Sequence, residues 1–238
     1  LSMSMDIPFG DFDMIYFAGR HAMERTAERL PVRRAGVRIG SVRGTSSHQY
    51  NPAMILCAPN ADEDAGDCYG FCFVYSGNFT ASAQQDQRKQ TRVQMGIHPD
   101  FFSFQLAPGE VFCAPQVILS YSSRGLTTLS RSYHRILREH MCRGPWKHAR
   151  RPVLINNWEA TYFDFNREKL LAIASQAAKL GIEMLVLDDG WFGKRDDDNS
   201  GLGDWFVNTD KLGGTLSDLS EQIHRMGMKF GLWFEPEM

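Results

Sequence analysis

Three short β-rich runs in the second half of the chain end alike, in aromatic and acidic residues, with helical patterns between them. They are Pro152-Val153-Leu154-Ile155-Asn156-Asn157-Trp158-Glu159, then Ile182-Glu183-Met184-Leu185-Val186-Leu187-Asp188-Asp189-Gly190-Trp191-Phe192, then Lys229-Phe230-Gly231-Leu232-Trp233-Phe234-Glu235-Pro236-Glu237. Strand-helix-strand-helix-strand dictates a parallel sheet. Because parallel crossovers are right-handed, the three strand ends point the same way. Between the first two runs, Leu170, Ala174, Ala177 and Ala178 recur at helical spacing, with Asn166 placed as N-cap and Gly181 just past the end. Between the last two, Leu216, Leu219, Ile223 and Met226 form an apolar stripe. The capping box Thr215-x-x-Asp218 opens it and Gly227 ends it. An α/β barrel builds its active site at such strand ends. Carboxylates accept hydrogen bonds from hydroxyls and flat rings cover the apolar faces of a pyranose, so these ends suit a sugar.

Residues 1–124 read differently. Val37, Ile39 and Ser41 alternate with Arg38 and Gly40, Phe71-Cys72-Phe73-Val74-Tyr75 runs into the turn Ser76-Gly77-Asn78, and Val117-Ile118-Leu119 follows Pro108-Gly109. Short strands at this spacing predict a β-sandwich. A helical stripe of Leu126, Leu129, Tyr133, Ile136 and Leu137 then leads through Gly144-Pro145. The expected organisation is a β domain over 1–124, a linking helix and linker over 125–147, and an α/β domain over 148–238.

Composition narrows the function by exclusion. Lys+Arg number 26 and Asp+Glu 28, a net charge of −2. With no basic stripe, nucleic acid is not an expected partner. The cluster Arg143, Lys147, Arg150 and Arg151 reads as a solvated linker. No apolar run reaches the ~18 residues of a membrane span. The cysteines, Cys57, Cys68, Cys72, Cys113 and Cys142, are odd in number and scattered, which predicts free thiols in a reducing cytoplasm rather than a zinc site or disulfide framework. Asp196-Asp197-Asp198 lacks the alternating oxygens and later Glu of a calcium loop, and no His pair stands at helical spacing, so no metal site is expected.

Several strings are long and unusual. They include Asn156-Asn157-Trp158-Glu159-Ala160-Thr161-Tyr162-Phe163, Leu187-Asp188-Asp189-Gly190-Trp191-Phe192-Gly193-Lys194-Arg195, Gly201-Leu202-Gly203-Asp204-Trp205 and Phe230-Gly231-Leu232-Trp233-Phe234-Glu235-Pro236-Glu237-Met238. Upstream stand Gly44-Thr45-Ser46-Ser47-His48-Gln49-Tyr50-Asn51-Pro52 and Val74-Tyr75-Ser76-Gly77-Asn78-Phe79. Together they resemble glycoside hydrolase family 36, the microbial α-galactosidases, over nearly the whole chain. Lys211-Leu212-Gly213-Gly214 departs from the family by lacking its usual proline there.

The resemblance implies an N-terminal β-supersandwich followed by a (β/α)8 TIM barrel. It implies a retaining hydrolase acting on α-galactoside oligosaccharides such as melibiose and raffinose, without a cofactor, and a homo-oligomer for the full-length enzyme. A galactosyl transferase of the raffinose-synthase type, or a non-catalytic galactose-binding fragment, is the alternative. The resemblance assigns Asp188 and Asp189 to the galactose hydroxyls and Trp158 and Trp233 to the pocket walls. Trp191 either walls the pocket or packs beneath the loop, and Glu159 and Glu235 either orient the pocket or pair with arginines. The family's nucleophile follows strand four and its acid/base follows strand six. Both are expected downstream of Met238, so no catalytic residue is assigned in this chain.

Geometry agrees that Asp188 and Asp189 are not the catalytic pair. Retaining glycosidases hold two carboxyls ~5–5.5 Å apart across the scissile bond. Neighbouring residues have Cα atoms ~3.8 Å apart and approach a sugar from one side. Length adds an expectation. A closed barrel takes about 250 residues, and the stretch after Arg151 holds about three β/α units. The chain therefore reads as an internal fragment whose sheet leaves one face, with Leu154, Val186 and Leu232 or their neighbours, without an opposite wall.

Overall fold

The computed structural model of the chain describes residues 2–235 and falls into two compact units, Leu1–Arg143 and Gly144–Met238. Pro236, Glu237 and Met238, which end the third sequence run, lie outside the described residues.

The first unit is antiparallel. Its strands are β1 Met3–Ile7, β2 Asp13–Arg20, β3 Met23–Pro31, β4 Val37–Ser41, β5 Tyr50–Cys57, β6 Cys68–Phe73, β7 Phe79–Gln85, β8 Thr91–Ile97 and β9 Val117–Ser122. They form a four-stranded sheet, β1-β8-β7-β4, and a five-stranded sheet, β3-β2-β5-β6-β9. Side chains alternate across each strand. Phe79, Ala81 and Ala83 of β7 and Val93 and Met95 of β8 meet Met14, Tyr16, Met54, Leu56, Phe71 and Phe73 of the other sheet in one core. The opposite face of the five-stranded sheet is apolar too, and helix α1, Gly125–Ile136, covers it. Leu126, Leu129 and Tyr133 pack there against Ile15, Ile55, Cys57, Ala61 and Cys68. The helix that sequence marks as a link is therefore part of this unit's core.

The second unit carries a parallel sheet, β10-β11-β12, from Leu154–Asn156, Met184–Leu187 and Lys229–Leu232. Between the strands lie α2 Trp158–Thr161, α3 Arg167–Lys179, α4 Thr209–Leu212 and α5 Leu216–Arg225. The two long helices start and stop where the pattern predicts. Asn166 Oδ1 accepts from the Lys169 N–H, and Thr215 and Asp218 close a reciprocal capping box. Gly181 and Gly227 take left-handed conformations (φ 79° and 80°). At each, the next two N–H groups return to carbonyls of the last turn: Gly181 to Ala178 and Ile182 to Ala177, Gly227 to His224 and Met228 to Ile223.

The helices cover one face of the sheet. Leu185 and Leu187 are buried against Leu170, Ala174, Ala177, Leu219 and Ile223, with Ile155, Phe230 and Leu232 beside them. The register corrects one expectation. Leu232 pairs with Leu187, so it belongs to the covered face, and Gly231 is the residue in line with Val186. Leu154, in line with Met184 and Lys229, is half exposed on the other face.

Candidate active-site edge

At the carboxyl edge of this sheet the three strand ends are tied together by hydrogen bonds. The Asn157 N–H reaches the Val186 carbonyl (3.4 Å), and the Trp233 N–H reaches the Leu187 carbonyl (2.9 Å). Asn157 is fully buried. Its Oδ1 accepts from the Asp188 N–H (2.8 Å) and its Nδ2 donates to Thr161 Oγ1 (2.9 Å). Asn156 does the complementary work at the surface, donating from Nδ2 to Asp188 Oδ2 and accepting from the Trp158 N–H (2.7 Å). The other Asp188 oxygen accepts from the Asp189 N–H (2.7 Å). Asp188 is thus a half-buried carboxylate fixed by one donor on each oxygen, with lone pairs left for further donors.

Asp189 has a different environment. Its side chain is 8% exposed and faces Arg195, 5% exposed. Arg195 Nε lies 3.0 and 3.1 Å from the two carboxylate oxygens and Nη2 lies 2.8 Å from Oδ2. The same guanidinium donates from Nη1 to the Asp197 and Ser200 carbonyls (2.9 and 3.0 Å) and lies 5.5 Å from the Phe163 ring centre. Its bonds to Asp189 hold the Arg195 guanidinium above its ordinary range, against the opposing effect of burial. One arginine therefore pins the long loop of residues 190–208 to the strand end. Lys211 adds a second tie, donating to Asp196 Oδ1 (3.1 Å) and lying 4.5 Å from the Phe165 ring centre.

The tryptophans also divide. Trp158 and Trp233 are half-buried, on either side of the Asp188 strand end. Trp158 is held edge-on by Tyr162 and Phe163, centroids 5.3 and 4.9 Å away. Trp191 is 3% exposed, and its indole N–H donates to the Trp233 carbonyl (3.0 Å). Its ring packs with Phe192, Trp205 and Phe234, which is the second of the two placements sequence left open. Glu159 accepts from the Tyr162 hydroxyl (3.2 Å), and Glu235 acts on Arg195 through its charge.

Sequence reasoning gave no role to Asn156, Asn157 or Arg195. In the sequence Arg195 stands at the end of a family string beside an acidic run, with no role of its own.

A cavity of about 500 Å³ lies at the other edge of the sheet, lined by Trp146, Arg150, Glu183, His224 and Lys229. There Glu183 receives Arg150 (2.5 Å) and the Val153 N–H (2.7 Å), bonds that hold its carboxyl below the ordinary range. Polar pairing on the amino-terminal side of a parallel α/β sheet serves stability. Among the described residues no cluster of three His, Cys, Asp or Glu could hold a metal ion, and no helix is long and apolar enough to cross a membrane.

Two family profiles match the chain end to end: the glycosyl hydrolase family 36 N-terminal domain over residues 1–107, and melibiase over residues 111–238. The chain belongs to glycosyl hydrolase family 36. Its family 36 relatives include alpha-galactosidase AgaA of Geobacillus stearothermophilus, 52% identical over 238 residues, a match covering 100% of this chain and 33% of that protein. The bifunctional alpha-galactosidase/sucrose kinase AgaSK of Mediterraneibacter gnavus is 56% identical over 234 residues, covering 98% of this chain and 25% of that protein. The crystal structure of AgaA matches with a TM-score of 0.95, covering 99% of this chain and 33% of that chain. Variants of AgaA have been solved with stachyose and with raffinose. The chain spans a third or less of the length of these relatives.

Proposed function

We propose that this chain supplies the galactose-binding side of a retaining α-galactosidase acting on α-linked oligosaccharides of the raffinose type. The observation that carries the reading is Asp188. Its carboxylate is held by Asn156 and the Asp189 N–H, between Trp158 and Trp233, at the carboxyl edge of a parallel sheet. A fixed anion with free lone pairs accepts from sugar hydroxyls without reorganising, and two flanking indoles offer apolar faces to the ring. The family 36 relatives are named alpha-galactosidases, which supports this substrate class.

In this reading the sheet is the start of a (β/α)8 barrel, and the first unit is the family's β-supersandwich. The reaction is double displacement: a carboxylate attacks the anomeric carbon, a carboxylic acid protonates the leaving oxygen, and water releases the sugar. Those two groups come from later strands, so residues of this chain bind and orient. Asp188 accepts sugar hydroxyls, and Trp158 and Trp233 wall the pocket. Asp189, with its Arg195 partner, holds the loop of residues 190–208 to the strand end and keeps lone pairs for a second sugar contact. Trp191 supports Trp233 from below. A homo-oligomeric cytoplasmic enzyme needing no cofactor belongs to the same proposal. Its test is hydrolysis of a nitrophenyl α-galactoside by the enzyme containing this chain and the remaining barrel strands. Absence of turnover there, in folded protein, contradicts the reading.

A further inference from the structure

Cys57 ends β5 and Cys68 begins β6, and the two are direct partners in the antiparallel register. The rung they share is identified by its neighbour: the Ala58 N–H bonds the Asp67 carbonyl (2.9 Å). A bond from the residue after one partner to the residue before the other marks a non-hydrogen-bonded pair, whose Cα atoms stand ~4.5 Å apart. That spacing falls inside the ~4.4–6.8 Å range of disulfides. Both side chains point to the face covered by α1 and are fully buried there among Ile15, Ala61 and Leu129. No other strand cysteine competes. Cys72 lies four residues along β6, opposite Ala53, and four residues of strand span ~13 Å.

We propose that Cys57 and Cys68 are a redox modification site, a cross-strand dithiol that closes to a disulfide and locks the loop of residues 58–67 beneath α1. That loop is the seat of the helix. The Gly125, Leu126 and Thr127 N–H groups donate to the Gly66, Asp62 and Glu63 carbonyls at 3.1, 2.9 and 3.0 Å, and Thr127 Oγ1 donates to Glu63 Oε2 (3.0 Å). A bond between the loop's two ends fixes the frame these carbonyls stand on. With a small-molecule disulfide such as oxidised glutathione as oxidant, one cysteine thiolate attacks its sulfur and releases one glutathione. The second thiolate then displaces the other. Two protein thiols lose two protons and two electrons, and one oxidised glutathione becomes two reduced ones.

Access governs the rate. Burial pushes the Cys57 thiol up to about 11 and raises Cys68 as well, while the Arg29 charge opposes both shifts. Arg29 is anchored on the loop itself, donating to the Ala58, Pro59 and Ala61 carbonyls. The pair therefore stays reduced until the loop opens, and closes readily during refolding.

The test is to refold the chain in excess oxidised glutathione and, in parallel, in reduced glutathione, then alkylate under denaturing conditions. Cleavage before aspartate, at Asp62, Asp64 and Asp67, separates the two cysteines for mass spectrometry. In the reduced sample both should be alkylated. In the oxidised sample neither should be, and a peptide pair joined through Cys57 and Cys68 should appear, two hydrogens lighter than its dithiol. The same product should form in Cys72→Ala. Amide exchange at Gly125, Leu126 and Thr127 should slow in the oxidised form. Alkylated or glutathione-capped Cys57 and Cys68 after oxidative refolding overturns the pairing, as does a bridge to Cys72. Exchange no slower in the oxidised form overturns the lock.

Discussion

Arg195 grips both carboxylate oxygens of Asp189, at 2.8–3.1 Å, in a site where each residue is less than a tenth exposed. The pair joins the end of β11 to the loop behind it, because the same guanidinium also holds two loop carbonyls. Removing one partner of a buried pair costs about 3–5 kcal/mol, since the other charge is left unpaired. Arg195→Met should therefore lower the unfolding free energy of the second unit by about that amount, a large part of the ~5–15 kcal/mol of a domain. Arg195→Lys should recover only part of it, because an ammonium lacks the planar fork. Urea unfolding followed by tryptophan fluorescence reads this, and a loss below about 1 kcal/mol contradicts it.

Asp188 and Asp189 should separate under mutation in a completed enzyme. In the sequence they are equal acceptors for a sugar. Among the described residues Asp188 has no ion-pair partner, whereas Asp189 is paired with Arg195 and holds a loop. Asp188→Ala should reduce kcat/KM by about ten- to a thousandfold, the worth of one or two charge-assisted bonds, with the melting temperature nearly unchanged. Asp189→Ala should lower both. Equal melting temperatures for the two variants would contradict the division of roles.

How much of this could be read beforehand depended on the range of the interaction. The caps at Asn166 and Thr215 and the stops at Gly181 and Gly227 were legible because each is decided within one helical turn. The side of the sheet that Leu232 faces was not. The run Phe230-Gly231-Leu232-Trp233-Phe234 is apolar at both parities, and only pairing with Leu187 settles it. Arg195 was missed because a charged residue in an acidic loop reads as surface. Its burial follows from a partner six residues earlier that lies inside. Trp191 stayed open because wall and core use the same residue type, and the contact with the Trp233 carbonyl depends on how two strand ends meet.

The capping box of α5 predicts a pH effect. Thr215 Oγ1 and the Thr215 N–H both donate to Asp218, at 2.8 and 3.0 Å, and hold its carboxyl below the ordinary 3.8. A carboxyl depressed on folding stabilises the fold above its unfolded value, and that contribution disappears as pH falls through the lower folded value. Asp218→Ala should therefore differ from the parent in melting temperature at pH 7 and converge with it as the pH falls through the lowered carboxyl value. Thr215→Ala should cost about 1 kcal/mol at neutral pH. A gap for Asp218→Ala that does not narrow on acidification would contradict the assignment.

In the first unit, α1 packs tightly against its sheet at Gly70. A Cβ there would stand 2.5 Å from the Tyr133 ring, whose hydroxyl is bonded to the Ile118 carbonyl (3.0 Å). The ring has no free end to swing away. Gly70→Ala should push the helix outward and destabilise this unit by about 1–3 kcal/mol. Tyr133→Phe, which keeps the ring and loses one hydrogen bond, should cost about 1 kcal/mol. Thermal unfolding of the two variants checks the order, and a neutral Gly70→Ala would show that the helix packs less tightly than this.

Galactose recognition by the Asp188 edge, as proposed, is tested most directly by the ratio of kcat/KM for nitrophenyl α-galactoside over nitrophenyl α-glucoside. An aspartate that accepts from the axial O4 of galactose is left partly unpaired by the equatorial O4 of glucose, at a cost of about 1–3 kcal/mol or more for a charged group. Measured on a family 36 enzyme that joins this chain to the remaining barrel strands, the ratio should exceed about ten. Equal values on the two glycosides would contradict the account.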